Sequence, residues 1–440
     1  MFQDTIVAIA TSLQEQAISI IRLSGDRAIE IVSKLFSKDL NKVKANTINY
    51  GFIRDGQEDV DEVLVSVFRA PHSYTMEDIV EINCHGGVYV TKRILSLCIA
   101  NGARLAMPGE FTQRAFLNGR IDLSQAEGVN DLINANSMQQ AHSAINSLKG
   151  SVTRLIEPLC DDILDMIANI EVNIDYPEYD DVEVLTNEKI LPRAKHFLER
   201  INKIIEEAQN ASIIKNGIDT VILGKPNVGK SSLLNALLQE DKAIVTDVAG
   251  TTRDLVEGCV NLGQVTLNLI DTAGIRDTQD VVEKIGIEKS KEALNKAKLV
   301  IMVMDASNIS EEDEMLLELC KDKPCILVYN KADKQRVNDG INISAINNDI
   351  DELIVKINEM FEQAIIDNRK DTLNNERQIG LAMQARSHME DVLVGIENNV
   401  ELDLVSIDLN LAYESLKEIL GKANREDLLD ALFSKFCLGK

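Results

Sequence analysis

The sequence predicts a multidomain protein that combines α+β and α/β architecture. Residues 1–118 mix strand-like and helix-like patterns, and residues 216–374 place a phosphate-binding loop between an apolar strand and a helix. Residues 119–215 and 375–440, on either side of this second region, carry helical periodicity. Because two helical segments flank an intact α/β domain, we predict that this domain is inserted into one helical bundle. A separate C-terminal helical domain fits the same periodicity.

The composition limits the number of domains and the compartment. A chain of 440 residues is long enough for two to three domains. Lys and Arg number 46 against 71 Asp and Glu, and the formal charge of −25 argues against broad electrostatic binding to nucleic acid or to an anionic membrane. The seven cysteines form no CxxC pair, and no apolar stretch approaches the ~18 residues of a membrane span. We expect a cytoplasmic protein without membrane contact, whose RNA contacts are local or shared with a partner.

The N-terminal region predicts an α+β domain. The predicted elements are strands at 5–10, 17–23, 63–68 and 79–84 and a helix at 88–100. Arg22 and Glu81 are charged residues inside two of these apolar strands, and a buried charge needs a partner. From spacing alone, the solvated face of its strand is the favoured position for each of them.

Helical patterning begins near Gln113. The sequence Ser124 to Glu127 has the form of a capping box at a helix start. Apolar residues then recur every three or four positions from Leu155 to Ile174 and form one stripe, which an acidic loop around Pro177 ends. The same periodicity resumes at 188–209 and again after residue 375, where it runs to Leu420.

The phosphate-binding loop is the stretch Gly224-Lys-Pro-Asn-Val-Gly-Lys-Ser231, between the apolar run 220–223 and a helical pattern. Its glycines let the backbone N–H groups turn toward phosphate oxygens, and the following helix adds its positive N-terminus. Lys230 is placed to reach the β- and γ-phosphates, and Ser231 offers a hydroxyl to Mg²⁺. A glycine-rich turn before an ordinary helix is the alternative.

Further motifs follow in the order that a G domain requires. Asp271-Thr-Ala-Gly274 ends an apolar strand, where a carboxylate can hold Mg²⁺ through water. Asn330-Lys-Ala-Asp333 ends another, and the Asp333 carboxylate can accept from guanine N1–H and N2–H, a donor pair that adenine lacks. Thr252 lies in a switch-like segment and could complete the Mg²⁺ shell, and Ser344-Ala345 fits the last element near the base. The predicted nucleotide is therefore GTP.

These motifs, with others, make the chain similar to the MnmE (TrmE) family of tRNA-modifying GTPases over essentially its whole length. The further motifs are Ile-Arg-Leu-Ser-Gly at 21–25, Ser-Tyr-Thr-Met-Glu-Asp at 73–78, Glu-Ile-Asn-Cys-His-Gly-Gly at 81–87, Pro-Gly-Glu-Phe-Thr-Gln-Arg-Ala-Phe-Leu-Asn at 108–118 and Phe-Cys-Leu-Gly-Lys at 436–440. GTPases of ribosome assembly share the nucleotide motifs but lack this N-terminal domain and the terminal Cys-x-Gly-Lys. The family implies a Ras-like G domain at 216–374.

For GTP hydrolysis, the resemblance implies a mechanism without the Ras-type glutamine, since Ile275 stands at that position. Glu283 would orient the water through a second water, or it is a solvated residue at a helix start. A K⁺ ion would supply the charge of an arginine finger, with Arg253 assisting or only bracing its loop. The implied K⁺ ligands are Asn227, Thr246, Val248 and Thr251. The predicted GTP-binding residues are Asn227, Val228, Gly229, Lys230, Ser231, Ser232, Thr246, Thr251, Thr252, Asp271, Thr272, Ala273, Gly274, Asn330, Lys331, Asp333, Ser344 and Ala345, with Mg²⁺ on Ser231 and Thr252.

For the N-terminal domain, the resemblance implies tetrahydrofolate binding and constitutive dimerisation. The implied ligands of 5-formyl-tetrahydrofolate are Arg22, Glu81, Arg120 and Lys440. An arginine can pair with the folate carboxylate while Glu81 accepts from the pterin. Cys437 would lie near the folate with an essential role, or it is a buried packing residue.

Three departures from the family pattern stand out. The loop 11–16 lacks the usual proline and glycine, Arg120 replaces a lysine, and Ile346-Asn347 replace a glycine-bearing end of the last nucleotide motif. Because the charge at position 120 is kept but its geometry is altered, we expect shifted affinities and retained function.

The family further implies a homodimer that works with MnmG, a partner carrying FAD. Together they would add an aminomethyl-type group to C5 of the wobble uridine of certain tRNAs, with folate as carbon donor. The tRNA would be held mainly by the complex. One alternative is a regulatory GTPase of ribosome assembly without modifying activity. Another is a folate-dependent one-carbon enzyme whose G domain only switches an interaction surface.

Overall fold

The structure is a computed structural model whose chain divides into two compact units. It describes residues 4–135, 137–175, 189–239, 256–270, 294–338, 340–367, 370–422 and 439. The first unit comprises 1–134, 147–153 and 414–440, and the second comprises 135–146 and 154–413. Each unit is therefore assembled from segments that are distant in the sequence.

A six-stranded sheet forms the centre of the first unit, in the order β3-β4-β5-β2-β1-β6. Its strands are β1 Ile6–Ile9, β2 Ile18–Ser24, β3 Thr47–Asp55, β4 Glu58–Phe68, β5 Ile79–His85 and β6 Arg104–Leu105. All neighbours are antiparallel except β1 and β6. Together with the helices of this unit, the sheet confirms the prediction of an α+β domain. Strand β3 was not among the predicted strands.

Two helices cover one face of this sheet. They are α1 Ala28–Leu35 and α2 Val88–Ala100, and their apolar residues pack with Ile21, Leu23 and Ile82 of the strands. Because side chains alternate along a strand, Arg22 and Glu81 lie on the opposite face. The sheet thus separates an apolar core from a face that carries charged residues.

Two further helices, α3 Glu110–Leu117 and α4 Leu123–Ile133, follow the sheet. The capping box of α4 is formed by Asp122 and Gln125, whose side chains bond each other's backbone N–H. The predicted box at Ser124 and Glu127 was therefore wrong by two residues. Asp122 was the better cap because its carboxylate is one residue ahead of the first helical position.

A buried network of charges fixes α3 to the sheet. The Arg114 side chain is fully buried and forms ion pairs with Asp4, Glu77 and Glu110. Arg104 pairs with the carboxylates of Asp4 and Glu110 as well. The carboxylate partners offset the cost of burying this guanidinium, whereas the same group without them would strongly destabilise the fold.

The second unit contains a six-stranded sheet in the order β12-β11-β10-β7-β9-β8, in which only the pair β8 and β9 is antiparallel. Its strands are β7 Ile218–Leu223, β8 Val256–Asn261, β9 Thr266–Ile270, β10 Leu299–Asp305, β11 Cys325–Asn330 and β12 Ile341–Asn342. Because the parallel strands end at one edge, the loops that follow β7, β10 and β11 meet there. This is the topology expected of the predicted P-loop domain.

Helices lie before, between and after the strands of this sheet in the sequence. Those before it are α5 Met138–Leu148, α6 Ser151–Asp175 and α7 Leu191–Asn216, and those after it are α12 Glu376–Glu397 and α13 Leu402–Ile419. The α/β domain itself contains α8 Lys230–Gln239, α9 Glu311–Leu319, α10 Asp351–Met360 and α11 Glu362–Asp367. Helix α7, before the α/β domain, packs against α12, after it. This agrees with a domain inserted into one helical bundle.

Helix α7 runs seven residues beyond the predicted end at 209, because buried Ala211 and Ile214 continue its apolar face. None of the helices within the described ranges is long and apolar enough to cross a membrane.

Candidate functional site

The phosphate loop, residues 224–231, connects the end of β7 to the start of α8. Gly224 and Gly229 have φ angles of +151° and +100°, which side chains rarely adopt. A Cβ at Gly224 would lie 2.3 Å from the carbonyl oxygen of Val303, and one at Gly229 would lie 2.2 Å from Nδ2 of Asn330. Both positions therefore require glycine, and the predicted order of strand, turn and helix is present.

The Lys230 side chain crosses this loop. Its ammonium donates to the carbonyl oxygens of Gly224 at 2.8 Å and Lys225 at 2.7 Å. Ser231 and Ser232 follow in the first turn of α8 with their side chains exposed. One cation and the N-terminus of a helix thus lie together where an anion would be bound.

Asn330 connects the phosphate loop to the segment that follows β12. Its side chain is buried, donates to the carbonyl oxygen of Val228 at 2.8 Å and accepts from the Ala345 N–H at 3.1 Å. Asp333 accepts a hydrogen bond from the Ser344 hydroxyl at 2.9 Å. The structure therefore brings three separated motifs together, and Asn330 joins them from the interior.

Asp305 is a residue of this region that the sequence analysis missed. It ends β10, and its carboxylate accepts from the Lys331 ammonium at 2.6 Å. Although burial opposes ionisation, hydrogen bonds from Lys331 and Ser307 lower the pKa of Asp305 to about 2. Its position at the carboxyl end of a central parallel strand could have identified it.

Several predicted residues lie outside the part of the chain that the structure describes. They are Thr246, Val248, Thr251, Thr252, Arg253, Asp271, Thr272, Ala273, Gly274, Glu283, Cys437 and Lys440. Among the described residues, Ser231 is the one predicted Mg²⁺ ligand and Asn227 the one predicted K⁺ ligand. Asn227 has a left-handed backbone, with φ of 64°, and an exposed side chain.

The arginine site lies on the first unit and consists of Arg22, Tyr74, Glu81, Arg120 and Gly439. Arg22 and Glu81 are partners in the register of β2 and β5, and Nε of Arg22 donates to Glu81 at 2.8 Å. Their side chains are 19% and 21% exposed. The two charges are therefore paired and partly shielded, on the face of the sheet opposite α1 and α2.

Tyr74 lies between the two arginines of this site. The guanidinium carbon of Arg120 is 4.5 Å from the ring centroid, and that of Arg22 is 6.0 Å away. The Tyr74 hydroxyl shares a hydrogen bond of 2.9 Å with Thr112. Tyr74 belongs to the sequence motif at 73–78, but no role for its ring was predicted, because no local pattern shows which residues an aromatic ring contacts.

The described residue of the terminal motif, Gly439, also reaches this site. Its carbonyl oxygen accepts from Nη1 of Arg22 at 3.1 Å. With φ of +92°, Gly439 lies so close to β1 that a Cβ would be 2.7 Å from the carbonyl oxygen of Ile9. Two guanidinium groups, one carboxylate and an aromatic ring thus lie close together, a set of groups that can pair with anions and stack on planar rings.

Family models match both parts of the chain. A model described as GTP-binding protein TrmE N-terminus matches residues 5–120, and one described as MnmE helical domain matches residues 123–437. The chain is 50% identical over 455 aligned residues to the tRNA modification GTPase MnmE of Bacillus mycoides (strain KBAB4), covering 99% of each chain. It is 49% identical to the protein of the same description from Levilactobacillus brevis, covering 99% of this chain and 98% of that one.

Among solved structures, the G domain of the T. maritima FeoB iron transporter matches 34% of this chain and 98% of its own length. The identity is 25% and the TM-score is 0.23. The relationship of this chain to known proteins therefore comes from the sequence matches.

Proposed function

The chain belongs to the MnmE family of tRNA modification GTPases, and on this premise we propose that it is a K⁺-stimulated GTPase acting with MnmG. The pair would modify C5 of the wobble uridine of certain tRNAs to an aminomethyl or carboxymethylaminomethyl form, using a one-carbon unit of tetrahydrofolate. The observation that carries this proposal is that one chain has both a phosphate loop joined to a guanine-type motif and an arginine site that the C-terminal Gly439 contacts.

Residues of the described part would bind GTP in stated roles. The N–H groups of Val228, Gly229 and Lys230 would surround the β-phosphate, and the Lys230 ammonium would exchange its two carbonyl partners for phosphate oxygens. Asp333 would accept from the guanine base. The glycine cradle supports this assignment, since a Cβ at Gly229 would meet Asn330 and deform the loop.

For hydrolysis we propose two metal ions and an acidic residue. Mg²⁺, held by Ser231 and Thr252, and K⁺, held by Asn227, Thr246, Val248 and Thr251, would neutralise charge that develops on the phosphate oxygens. The exposed Asn227 amide at the loop mouth supports the K⁺ assignment. Glu283 would orient the attacking water, and Arg253 would assist or brace its loop.

For the N-terminal unit we propose binding of 5-formyl-tetrahydrofolate or a related tetrahydrofolate. Arg22, Glu81, Arg120 and Lys440 would line the site, where an arginine would pair with a carboxylate of the ligand and Glu81 would accept from the pterin. The contact of Gly439 with Arg22 supports a place for the terminal motif here, and with it a role for Cys437. Retention of labelled folate by the intact chain tests this assignment.

We propose that the open face of the first sheet forms a homodimer. Ile48, Tyr50 and Leu64 lie on this face, opposite α1 and α2, and are 70%, 53% and 46% exposed. If a second copy covers them, Leu64→Glu should give a monomer in light scattering. Leu105→Glu, on the far edge strand, should stay dimeric. A dimer mass for Leu64→Glu would contradict this face as the dimer interface.

The remaining partners come from the family to which the chain belongs, and the charge of the chain bears on how tRNA would bind. A formal charge of −25 disfavours extensive direct contact with tRNA, so we propose that tRNA binds through the complex with MnmG, which would carry FAD, in the cytoplasm. Mass spectrometry of tRNA nucleosides from cells without this protein should show loss of the wobble modification. Unchanged nucleosides would favour a role in ribosome assembly.

The decisive experiment is the rate of GTP hydrolysis in matched KCl and NaCl buffers. We expect a rate in KCl at least about tenfold higher, because a desolvated cation replaces an arginine finger. Asn227→Ala should lose that preference, whereas Asn295→Ala, in the same unit and away from the phosphate loop, should keep it. Equal rates of the wild-type protein in both salts would contradict K⁺ stimulation.

A further inference from the structure

The Lys225 side chain leaves the phosphate loop and is held by the start of α9. Its ammonium lies 2.7 Å from Oδ2 of Asp313, donates to the Ser310 hydroxyl at 2.7 Å and to the carbonyl oxygen of Asn308 at 3.2 Å. The side chain is only 11% exposed. Lys225 therefore points away from the place where a phosphate would bind, and all three donors of its ammonium have a partner.

Asp313 is the acidic half of this pair, and it is fully buried. It occupies the third position of α9, where Oδ2 also accepts from the Ser310 N–H at 2.9 Å. Within the described part of the chain, its other oxygen, Oδ1, is buried without a hydrogen-bond partner. A buried carboxylate in this state depends strongly on its one cation. The pair is thus a specific attachment of the phosphate loop to a second element.

The position of Lys225 makes this attachment relevant to the bound nucleotide. The carbonyl oxygen of the same residue accepts from the Lys230 ammonium at 2.7 Å, so the Lys225 peptide faces into the loop while its side chain is anchored outside it. At the other end of the loop, Asn330 holds the Val228 carbonyl oxygen at 2.8 Å. The loop is therefore fixed on both sides of its exposed tip, residues 226–227.

We propose that Lys225 and Asp313 are positioning residues that hold the phosphate loop in the shape that binds the β-phosphate of a guanine nucleotide. This inference rests on the proposed function of the loop as a GTP site. Neither side chain touches the nucleotide. Their effect is to keep the backbone N–H groups converged, because an unanchored loop with glycines at both ends has many other conformations.

The test compares the affinities for GDP and GMP, measured by competition against a fluorescent GDP analogue on the intact chain. The two ligands differ in the β-phosphate, so the ratio of their affinities reports on the loop. Partial unfolding lowers both affinities equally and leaves the ratio unchanged. We expect Lys225→Met to reduce the GDP:GMP ratio about tenfold. Lys321→Met, the same change in an exposed pair with Glu318 just after α9, should keep the wild-type ratio.

A double variant separates positioning from stability. Lys225→Met/Asp313→Leu replaces the buried pair by apolar groups, which should restore the thermal midpoint lost in the single variant. We expect its GDP:GMP ratio to stay low, because the apolar pair does not fix the direction of the loop. Recovery of the ratio in the double variant, or a wild-type ratio in Lys225→Met, would overturn the inference. A wild-type protein that binds GDP and GMP equally would instead overturn the GTP site itself.

Discussion

Backbone groups build the phosphate loop of the second unit, whereas side chains build the arginine site of the first. In the loop, the determining contacts involve peptide oxygens and the missing Cβ atoms of Gly224 and Gly229. In the arginine site, Arg22 meets Glu81, 59 positions away, and Gly439, 417 positions away. The phosphate loop therefore tolerates no added side-chain atom at its two glycines. The arginine site instead depends on charged side chains that the surrounding fold must hold in place.

The largest effect should come from the charge network that supports the arginine site. Arg114→Met leaves the carboxylates of Glu77 and Glu110 without their buried cation, and we expect it to destabilise the first unit by about 3 to 5 kcal/mol. Hydrogen exchange of the β1 to β6 amides in the intact chain measures this loss. Arg54→Met, whose pair with Asp59 is exposed, should cost less than about 0.5 kcal/mol.

The same network gives this effect a pH dependence. Although burial opposes ionisation, hydrogen bonds from Arg104 and Arg114 keep the pKa of Glu110 below its ordinary value. A carboxylate with a lowered pKa stabilises the fold above its unfolded pKa and loses that contribution as pH falls through the folded one. The difference between wild type and Arg114→Met should therefore shrink on acidification below pH ~4. A difference that grows with acid would show that the network is held by contacts other than ion pairs.

In the phosphate loop, the corresponding change is the addition of one methyl group. Gly229→Ala places a Cβ 2.2 Å from Nδ2 of Asn330, which is itself fixed by Val228 and Ala345, so the loop must open. We expect GDP affinity to fall at least about 100-fold, measured with a fluorescent analogue. Gly380→Ala, in α12 with open space around it, should bind GDP as the wild type does. Equal GDP affinity of Gly229→Ala and wild type would show that the phosphate loop tolerates an added methyl group, and the two regions would then not differ in this respect.

The two regions also differ in how far the sequence predicts them. The phosphate loop, the Asn330 motif and the inserted domain follow from contiguous patterns, because strand, turn and helix are local structures. The pairing of Arg22 with Glu81 depends on the register of β2 and β5. The contact of the Tyr74 ring with Arg120 depends on how α3 packs. Asp305 and Asp313 were missed for the same reason: each acts on a loop from another part of the chain.

In the arginine site, removing one charged side chain should weaken the binding of folate. Arg22→Met deletes the partner of Glu81 and one cation of the arginine site, and we expect binding of 5-formyl-tetrahydrofolate to weaken about 10- to 100-fold. Equilibrium dialysis with the intact chain measures it, and GDP affinity should not change. Arg27→Met, an exposed pair with Glu30 in the same unit, is the control. If Arg22→Met binds folate as the wild type does, Arg22 is not part of the folate site.

A smaller effect is expected where a side chain supports the backbone-built region. The pKa of Asp305 is lowered to about 2, so its pair with Lys331 stabilises the fold above pH ~4 and this contribution is lost between pH ~4 and about 2. Asp305→Asn should cost about 1 to 2 kcal/mol at pH 7, a small part of this near pH ~2, and nothing well below that pH. Thermal unfolding of both proteins across this range measures the difference. A constant difference at every pH would show that the ion pair contributes no charge-dependent stability.

The smallest effect should come from the shape of one cation. In Arg120→Lys the charge remains, but an ammonium cannot stack on the Tyr74 ring as the guanidinium does at 4.5 Å. We expect folate affinity to fall about two- to fivefold, since exposed cation–π contacts are worth roughly 0.5 to 1 kcal/mol. In a Tyr74→Leu background the same change should have a smaller effect, because the stacking contribution is already lost. A similar loss with and without the ring would mean that stacking on Tyr74 contributes nothing to folate binding, and the arginine site would then depend on charge alone.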